Sequence, residues 1–201
     1  MNLKGLAIIL LFVSSQAFAQ PAYQIKVTLK PFTSGYLYLA HHFGKKQYLI
    51  DSARINEKSE AVFSGKEKLF GGIYMIVFPQ KNSWIECIVD KEQQFSILAD
   101  TANLFTSTQF LGSKDNSLFA EYQKKSYDLG TSIASIQKQI AQAQPAEVEK
   151  LKASIQEKST QLQQYRENFM KLHPDHLLTA IFFVLKDPVV PPASEHPNGK
   201  Y

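Results

Sequence analysis

Short runs of alternating polar and apolar residues fill the first half of the chain. Residues 24–30 alternate strictly, which is typical of a strand with one buried side and one solvent-facing side. Pro31 and the turn signal Thr33-Ser34-Gly35 end this run, and further short runs follow at similar spacing. Between residues 20 and 112 we predict seven or eight strands that form an antiparallel β-sandwich or a partly open barrel.

After Gly112 the spacing of apolar positions changes to that of helices. In two segments separated by Pro145, mainly apolar residues recur three and four positions apart, so that they share one helix face. We call these residues the seam positions of each helix. The first set is Phe119, Tyr122, Ser126, Leu129, Ile133, Ile136, Ile140 and Ala143, and the second is Val148, Leu151, Ile155, Lys158, Leu162, Tyr165, Phe169 and Leu172. Ser113 suits a helix N-cap, and Pro145 suits the first position of a second helix. We predict a long antiparallel helical hairpin.

The two seams also predict a pairing register for this hairpin. If the chain turns at Gln144, Phe119 lies opposite Leu172 and Ser126 lies near Tyr165. Polar positions within an apolar seam can fix such a register, because any other alignment buries them against an unsuitable neighbour.

A third element follows the hairpin. His173-Pro174-Asp175 breaks the second helix, and residues 177–185 are apolar on almost every side, which predicts a short buried helix. The stretch 187–201 contains four of the nine prolines and has no apolar period. We interpret 113–186 as the helical hairpin with its third helix, and 187–201 as a linker or the start of a missing C-terminal domain.

The first nineteen residues have the features of a secretory signal peptide. Lys4 precedes an apolar run at 6–13, and Ala17-Phe18-Ala19 offers the small residues of a cleavage site. The run is too short to span a bilayer, which needs about 20 residues. No cysteine follows it as a lipid anchor. We therefore expect a soluble periplasmic protein.

Composition and charge narrow the function classes. Of 201 residues, 44% are hydrophobic and 20% are charged, which is a globular composition. The 22 basic and 18 acidic residues are too evenly matched to indicate nucleic-acid binding. We expect no nucleic-acid partner and no membrane span once the signal peptide is removed.

Cys87 is the one cysteine, so an internal disulfide is impossible. Alternation places it on the same strand face as Ile85 and Val89. It is either a reactive thiol or a small buried hydrophobic residue. We favour the second interpretation, because no adjacent histidine or CxxC motif would lower its pKa.

The histidines offer two candidate clusters. His41 and His42 are adjacent on a predicted strand and must point to opposite faces, so they are poorly placed to share a metal. His173 and His176 flank the helix break, with Asp175 between them. We expect a capping or surface role there instead of metal binding.

Aromatic and acidic residues give no clearer chemistry. A ligand-binding sheet face is one interpretation of the aromatic residues, but core packing or cross-strand pairing is the commoner role; the set is Tyr36, Tyr38, Tyr48, Tyr74 and Trp84. The carboxylates are scattered, and include Asp51, Glu57, Glu60 and Glu86. The sequence has no GxSxG, HExxH, Walker or GxGxxG motif. We assign no catalytic, cofactor-binding or metal-ligating residue and expect no cofactor.

An ordered set of motifs resembles a known family. These are Tyr48-Leu-Ile-Asp51-Ser52, Ala61-Val-Phe63-Ser-Gly65, Gly72-Ile-Tyr74 and Phe110-Leu-Gly112-Ser113-Lys-Asp-Asn116-Ser-Leu-Phe119. They resemble the N-terminal domain of unknown function that precedes the thioredoxin-like domain in exported TlpA/ResA-type thiol-disulfide oxidoreductases of Gram-negative bacteria. The chain has no CxxC motif, so no catalytic residue carries over.

The resemblance implies a non-catalytic periplasmic accessory module, with any redox activity in a C-terminal thioredoxin-like domain and a role in cell redox homeostasis. The alternative is a stand-alone binding or holdase-type adaptor that grips exported clients with the helical hairpin. The expected partner is protein in either case: the chain's own C-terminal domain, a second copy or an exported client.

Overall fold

A computed structural model of the protein describes residues 20–44 and 46–186. The predicted signal peptide and the stretch 187–201 lie outside these residues. In the described chain, strands precede long helices, as predicted for an α+β protein. The strands are β1 (Tyr23–Lys30), β2 (Tyr36–Phe43), β3 (Lys46–Arg54), β4 (Glu60–Gly65), β5 (Gly72–Val77), β6 (Trp84–Val89), β7 (Gln94–Asp100) and β8 (Gln109–Leu111). The helices are α1 (Leu104–Ser107), α2 (Lys114–Ile140), α3 (Pro145–Leu172) and α4 (Leu177–Val184).

The strands form two four-stranded sheets. Their orders are β4-β1-β7-β8 and β3-β2-β5-β6, and the sheets stay separate instead of closing into a barrel. Alternate residues of most strands point into the space between the sheets, as Ile25 and Val27 do in β1 and Leu37 and Leu39 do in β2. Each such side chain contributes about 1.5–3 kcal/mol by leaving water. The alternation seen in the sequence is therefore the pattern of a sandwich core.

One neighbouring pair contradicts the prediction of a fully antiparallel sandwich. β1 and β7 run parallel, with Ile25 beside Phe95 and Val27 beside Ile97. Between β1 and β7 the chain forms strands of the other sheet as well as β4, and β7 then runs in the same direction as β1. A two-residue period reports which face of a strand is buried and not which way its neighbour runs, so the sequence could not show this pairing.

The helical hairpin is confirmed. α2 and α3 pack against each other, and every predicted seam position except Leu172 is buried or half-buried. Ser113 caps α2 by accepting a hydrogen bond from the Asn116 N–H, and Pro145 is the first residue of α3. Among the described residues, none of the helices combines the length and apolar character needed to cross a membrane.

The predicted register at the base of the hairpin is wrong. Leu172 is 73% exposed, whereas Phe119, its expected neighbour, is buried in a cluster with Ile88 and Phe169. The prediction assumed that each helix contacts only the other. In the structure the base of the hairpin packs on the outer face of the β3-β2-β5-β6 sheet and on α4. Phe119 therefore packs in this contact, beside Ile88, and not against Leu172.

α4 is buried on one side only, which corrects the expectation of burial all round. Leu178 and Phe182 are almost completely buried. Phe183 and Val184 on the other side are 71% and 80% exposed. The helix fills the angle between the hairpin and the sheet, so its outward side has no protein against it among the residues described.

Candidate interaction surface

The buried side chain of Asn116 links α2 to the edge of the β-sandwich by hydrogen bonds. Its Oδ1 accepts a hydrogen bond from the Ile88 N–H at 2.7 Å, and its Nδ2 donates to the Ile88 carbonyl at 2.8 Å. Asn116 has no exposed surface. Because β6 is an edge strand, its outward peptide groups lack a neighbouring strand. The carboxamide of Asn116 takes the place of that neighbour at Ile88.

The residues around Asn116 explain why α2 begins here. Gly112 has φ +81°, a left-handed conformation that favours glycine, and it turns the chain away from β8. The Ser113 hydroxyl donates to Glu92 Oε2 at 2.6 Å and accepts from the Asn116 N–H. Glu92 also accepts from the Asp115 N–H at 3.1 Å. A carboxylate suits this place, because unpaired N–H groups give a helix N-terminus a partial positive charge.

A small apolar cluster lies behind this junction. Ile88 projects from the sheet into a group of helix side chains, which are Phe119, Phe169, Leu178 and Phe182. The rings of Phe169 and Phe182 meet edge to face at 5.5 Å between centroids. The cluster therefore draws on β6 and on α2, α3 and α4, and it fixes the position of α4 on the sheet.

His176 caps α4 and contacts α2. Its Nδ1 accepts a hydrogen bond from the Leu178 N–H at 3.0 Å, and its Nε2 lies 3.4 Å from Asp115 Oδ1. Burial raises the pKa of the Asp115 carboxyl; nearby His176 lowers it, and the Glu92 carboxylate adds to the rise. The capping role expected for this histidine cluster is thus confirmed at His176. No three His, Cys, Asp or Glu residues within the described ranges are grouped so that they could hold a metal ion.

Cys87 lies in the core between the sheets and is completely buried, as we predicted for a small hydrophobic residue. Burial, and secondarily the Glu86 carboxylate, raises the pKa of its thiol to about 12. The thiolate is the form that attacks disulfides. In the folded protein this side chain has neither the ionisation nor the access that such chemistry needs.

The first histidine pair and the aromatic residues form cross-strand contacts. His41 is half-buried and His42 is exposed, as opposite faces require. The His41 ring lies between those of Tyr48 and Tyr74, with centroid distances of 5.9 and 5.6 Å. Cross-strand pairing, the role we favoured, is confirmed for these tyrosines.

The remaining aromatic residues lie mainly at the surface. The Lys81 ammonium lies over the Tyr38 ring, 4.8 Å from the ring centroid, and forms a cation–π contact. Tyr36 and Trp84 are exposed on β2 and β6. They neither join the core nor form a shared aromatic platform among the described residues.

The candidate carboxylates separate into different surroundings. Asp51 accepts a hydrogen bond from the Tyr23 hydroxyl at 3.4 Å. Glu86 accepts from the Gln123 amide at 3.0 Å, across the gap between β6 and α2. Glu60 accepts from the Asn56 amide at 3.1 Å. Each of these three carboxylates is thus hydrogen-bonded to a neutral side chain, and the three bonds lie in separate parts of the molecule.

The most distinctive surface is the outward side of α4. A cleft of about 630 Å³ runs along it, and its apolar lining includes Met170, Pro174, Leu177, Ala180, Phe183 and Val184. This surface is held in place by the buried cluster on the opposite side of α4. This apolar lining suits the binding of a partner and not the making or breaking of covalent bonds. The helical period indicated that the segment is apolar, but it gave no sign of which side stays open.

Comparison with known proteins finds one family to which part of the chain is similar. Residues 23–119 match the profile of a family described as a domain of unknown function, DUF4369. The matched span holds all eight strands and ends at Phe119, just after the Asn116 junction. No curated protein matches the chain. No solved structure matches it.

Replacement of Asn116 tests the junction. Asn116→Ala leaves the buried Ile88 N–H and carbonyl without partners, so we expect the free energy of unfolding to fall by about 2–4 kcal/mol. Chemical denaturation measures this change. Asn103→Ala is the matched control, because Asn103 is exposed and its side chain makes no cap hydrogen bond. An Asn116 variant no less stable than this control would contradict the role of the carboxamide.

The buried thiol makes a second prediction. A thiol reagent at pH 8 should label Cys87 at least about 1,000-fold more slowly in the folded protein than in denaturant, since the raised thiol pKa alone accounts for that factor and complete burial slows the reaction further. The unfolded thiol loses its proton near 9.0 and the folded one near 12. Its contribution to stability should therefore fall as the pH rises through that interval. Equal labelling rates in the folded and denatured protein would show that Cys87 is accessible. The Cys87→Ala variant, which has no thiol, measures the background reaction.

Proposed function

We propose that the chain is a non-catalytic accessory module that holds a thioredoxin-like partner domain in the periplasm, as the N-terminal part of a TlpA/ResA-type thiol-disulfide oxidoreductase. The observation that carries this proposal is the open apolar side of α4. Phe183 and Val184 are exposed on a helix whose other side is anchored to the sandwich.

The chemistry of Cys87 supports a non-catalytic role. In thiol–disulfide exchange, a thiolate attacks a disulfide sulfur, a mixed disulfide forms and the second sulfur leaves with the electron pair. The buried Cys87 thiol cannot reach a substrate disulfide, and the sequence has no second cysteine to resolve a mixed disulfide. Any exchange associated with this chain would therefore use the cysteines of its partner.

The place of the open surface supports docking of a neighbouring domain. Contiguous exposed apolar patches rimmed by polar residues commonly mark protein–protein contacts. Here the patch lies on the last described helix, immediately before residue 187. A domain that follows this helix would meet the patch without a long connection. Export is proposed from the signal-like residues 1–19 alone.

The holdase-type adaptor has less support. An arm that grips unfolded clients needs exposed apolar side chains along its length. Over α2 and α3 as described, the large hydrophobic side chains that are exposed are Tyr127 and Leu172. The rest of the outward surface is polar, as at the Glu149–Lys152 ion pair. These helices bury their apolar positions against each other and offer few to a client.

A site-specific crosslink tests the proposed partner. A photoreactive amino acid replaces Phe183 in the full chain, expressed in the periplasm of a Gram-negative host. We expect it to capture a protein or domain with a thioredoxin fold and a CxxC motif, identified by mass spectrometry. The same amino acid at Gln156, which is exposed on α3, is the matched control and should capture none.

The outcomes separate the hypotheses. Crosslinks at position 183 that contain no thioredoxin-like protein would contradict the proposed partner. Capture of assorted exported proteins from position 156 would support the holdase-type adaptor instead. In parallel, purified chain should not accelerate insulin reduction by dithiothreitol, and clear turnover would contradict the non-catalytic role.

A further inference from the structure

Arg166, on α3, is a half-buried cation that has no carboxylate partner among the described residues. Its Nε and Nη2 groups donate to the Tyr122 hydroxyl at 3.2 and 2.7 Å. The guanidinium also lies 5.6 Å from the centroid of the Tyr122 ring and 5.7 Å from that of Phe182. These contacts hold the guanidinium between α2 and α4, and they leave its other N–H donors without a partner in the described part of the chain.

A cavity of about 500 Å³ opens beside this guanidinium. Its apolar wall is formed by α2, α3 and the end of α4, and consists of Ile133, Leu162, Met170, Phe182 and Leu185. The polar groups are few, and most of them lie on one face of α3 around Arg166. An apolar wall with a few polar groups, in a cavity of about 300–1,000 Å³, is typical of a site for a small molecule.

The charged side chains of the cavity favour an anion with a single charge. Arg166 and Lys186 are positive and Glu167 is negative, so the lining has a small positive excess. Glu167 accepts a hydrogen bond from the Gln163 amide at 3.0 Å and forms no ion pair with Arg166. A carboxylate can accept two parallel N–H groups from one guanidinium. The second charge of a phosphate monoester would instead be repelled by Glu167.

We propose that this cavity binds a small monocarboxylate with a hydrocarbon chain, such as a medium-chain fatty acid. The carboxylate accepts hydrogen bonds from the free N–H groups of Arg166, and the chain packs against the apolar wall. The cavity lies on the Phe182 side of α4, whereas the surface proposed for a partner domain lies on the Phe183 side. The two proposals therefore stand or fall independently.

Three probes with the same hydrocarbon chain test the ligand class. Octanoate, 1-octanol and octylammonium are each titrated into the full chain below their micelle-forming concentrations, and NMR chemical shifts give the Kd. We expect octanoate to bind at least about tenfold more tightly than 1-octanol, because the charge-assisted hydrogen bonds to Arg166 need the carboxylate. Octylammonium should bind no more tightly than 1-octanol.

Substitutions then locate the two ends of the ligand. Arg166→Met keeps an apolar side chain but removes the charge, so the preference for octanoate over 1-octanol should disappear. Lys150→Gln is the matched control, because Lys150 is an exposed cation on α3 outside the cavity, and it should keep the preference. Ser159→Trp places a ring at the cavity from an exposed position, so both probes should bind about tenfold more weakly.

Four results would overturn the proposal. Equal Kd values for octanoate and 1-octanol in the parent chain would show that no carboxylate is recognised. A preference for octanoate that persists in Arg166→Met would place the carboxylate elsewhere. Unchanged binding in Ser159→Trp would place the hydrocarbon chain outside this cavity, and the tightest binding by octylammonium would assign the site to cations.

Discussion

The structure depends on the pair of hydrogen bonds between the Asn116 carboxamide and the Ile88 peptide group. A buried peptide group without a partner costs about 1–3 kcal/mol for each unmade hydrogen bond. The bonds form only when α2 begins beside β6, so this cost fixes the start of the helix against the sheet edge. Ser113 and Glu92 hold Asn116 in place from the helix side. The apolar cluster around Ile88, which lies beside this junction, then fixes the position of α4 on the sheet.

The two halves of the molecule consequently have different roles. The sandwich interior is filled with apolar side chains and encloses the one cysteine, so it offers stability and no reactive group among the residues described. The features available for binding lie in the helical part: the outward side of α4 and the cavity beside Arg166. A thioredoxin-like domain docked on α4 is our proposal for the first, and the match to a domain of unknown function is compatible with a binding role.

Local patterns in the sequence predicted the sandwich, the hairpin and the burial of Cys87, because each depends on the alternation or helical spacing of a single segment. The parallel pairing of β1 and β7 was not predictable in this way, since a strand looks the same in either direction. The Phe119–Leu172 pairing was wrong because a third surface, that of β6, competes for Phe119. Asn116 was visible within the Gly-Ser-x-x-Asn motif, but its role needs Ile88, 28 residues away. Local patterns therefore could not predict contacts between segments that are distant in the sequence.

The sandwich and the helices should unfold as one cooperative unit. Denaturant unfolding followed by two probes tests it most directly: fluorescence of Trp84, the one tryptophan, reports the β6 edge, and circular dichroism at a helix wavelength reports mainly α2 and α3. Our account predicts that the two transitions coincide, because the Asn116 junction and the cluster around Ile88 couple the two parts. A helical transition that is complete while Trp84 keeps its native fluorescence would contradict it.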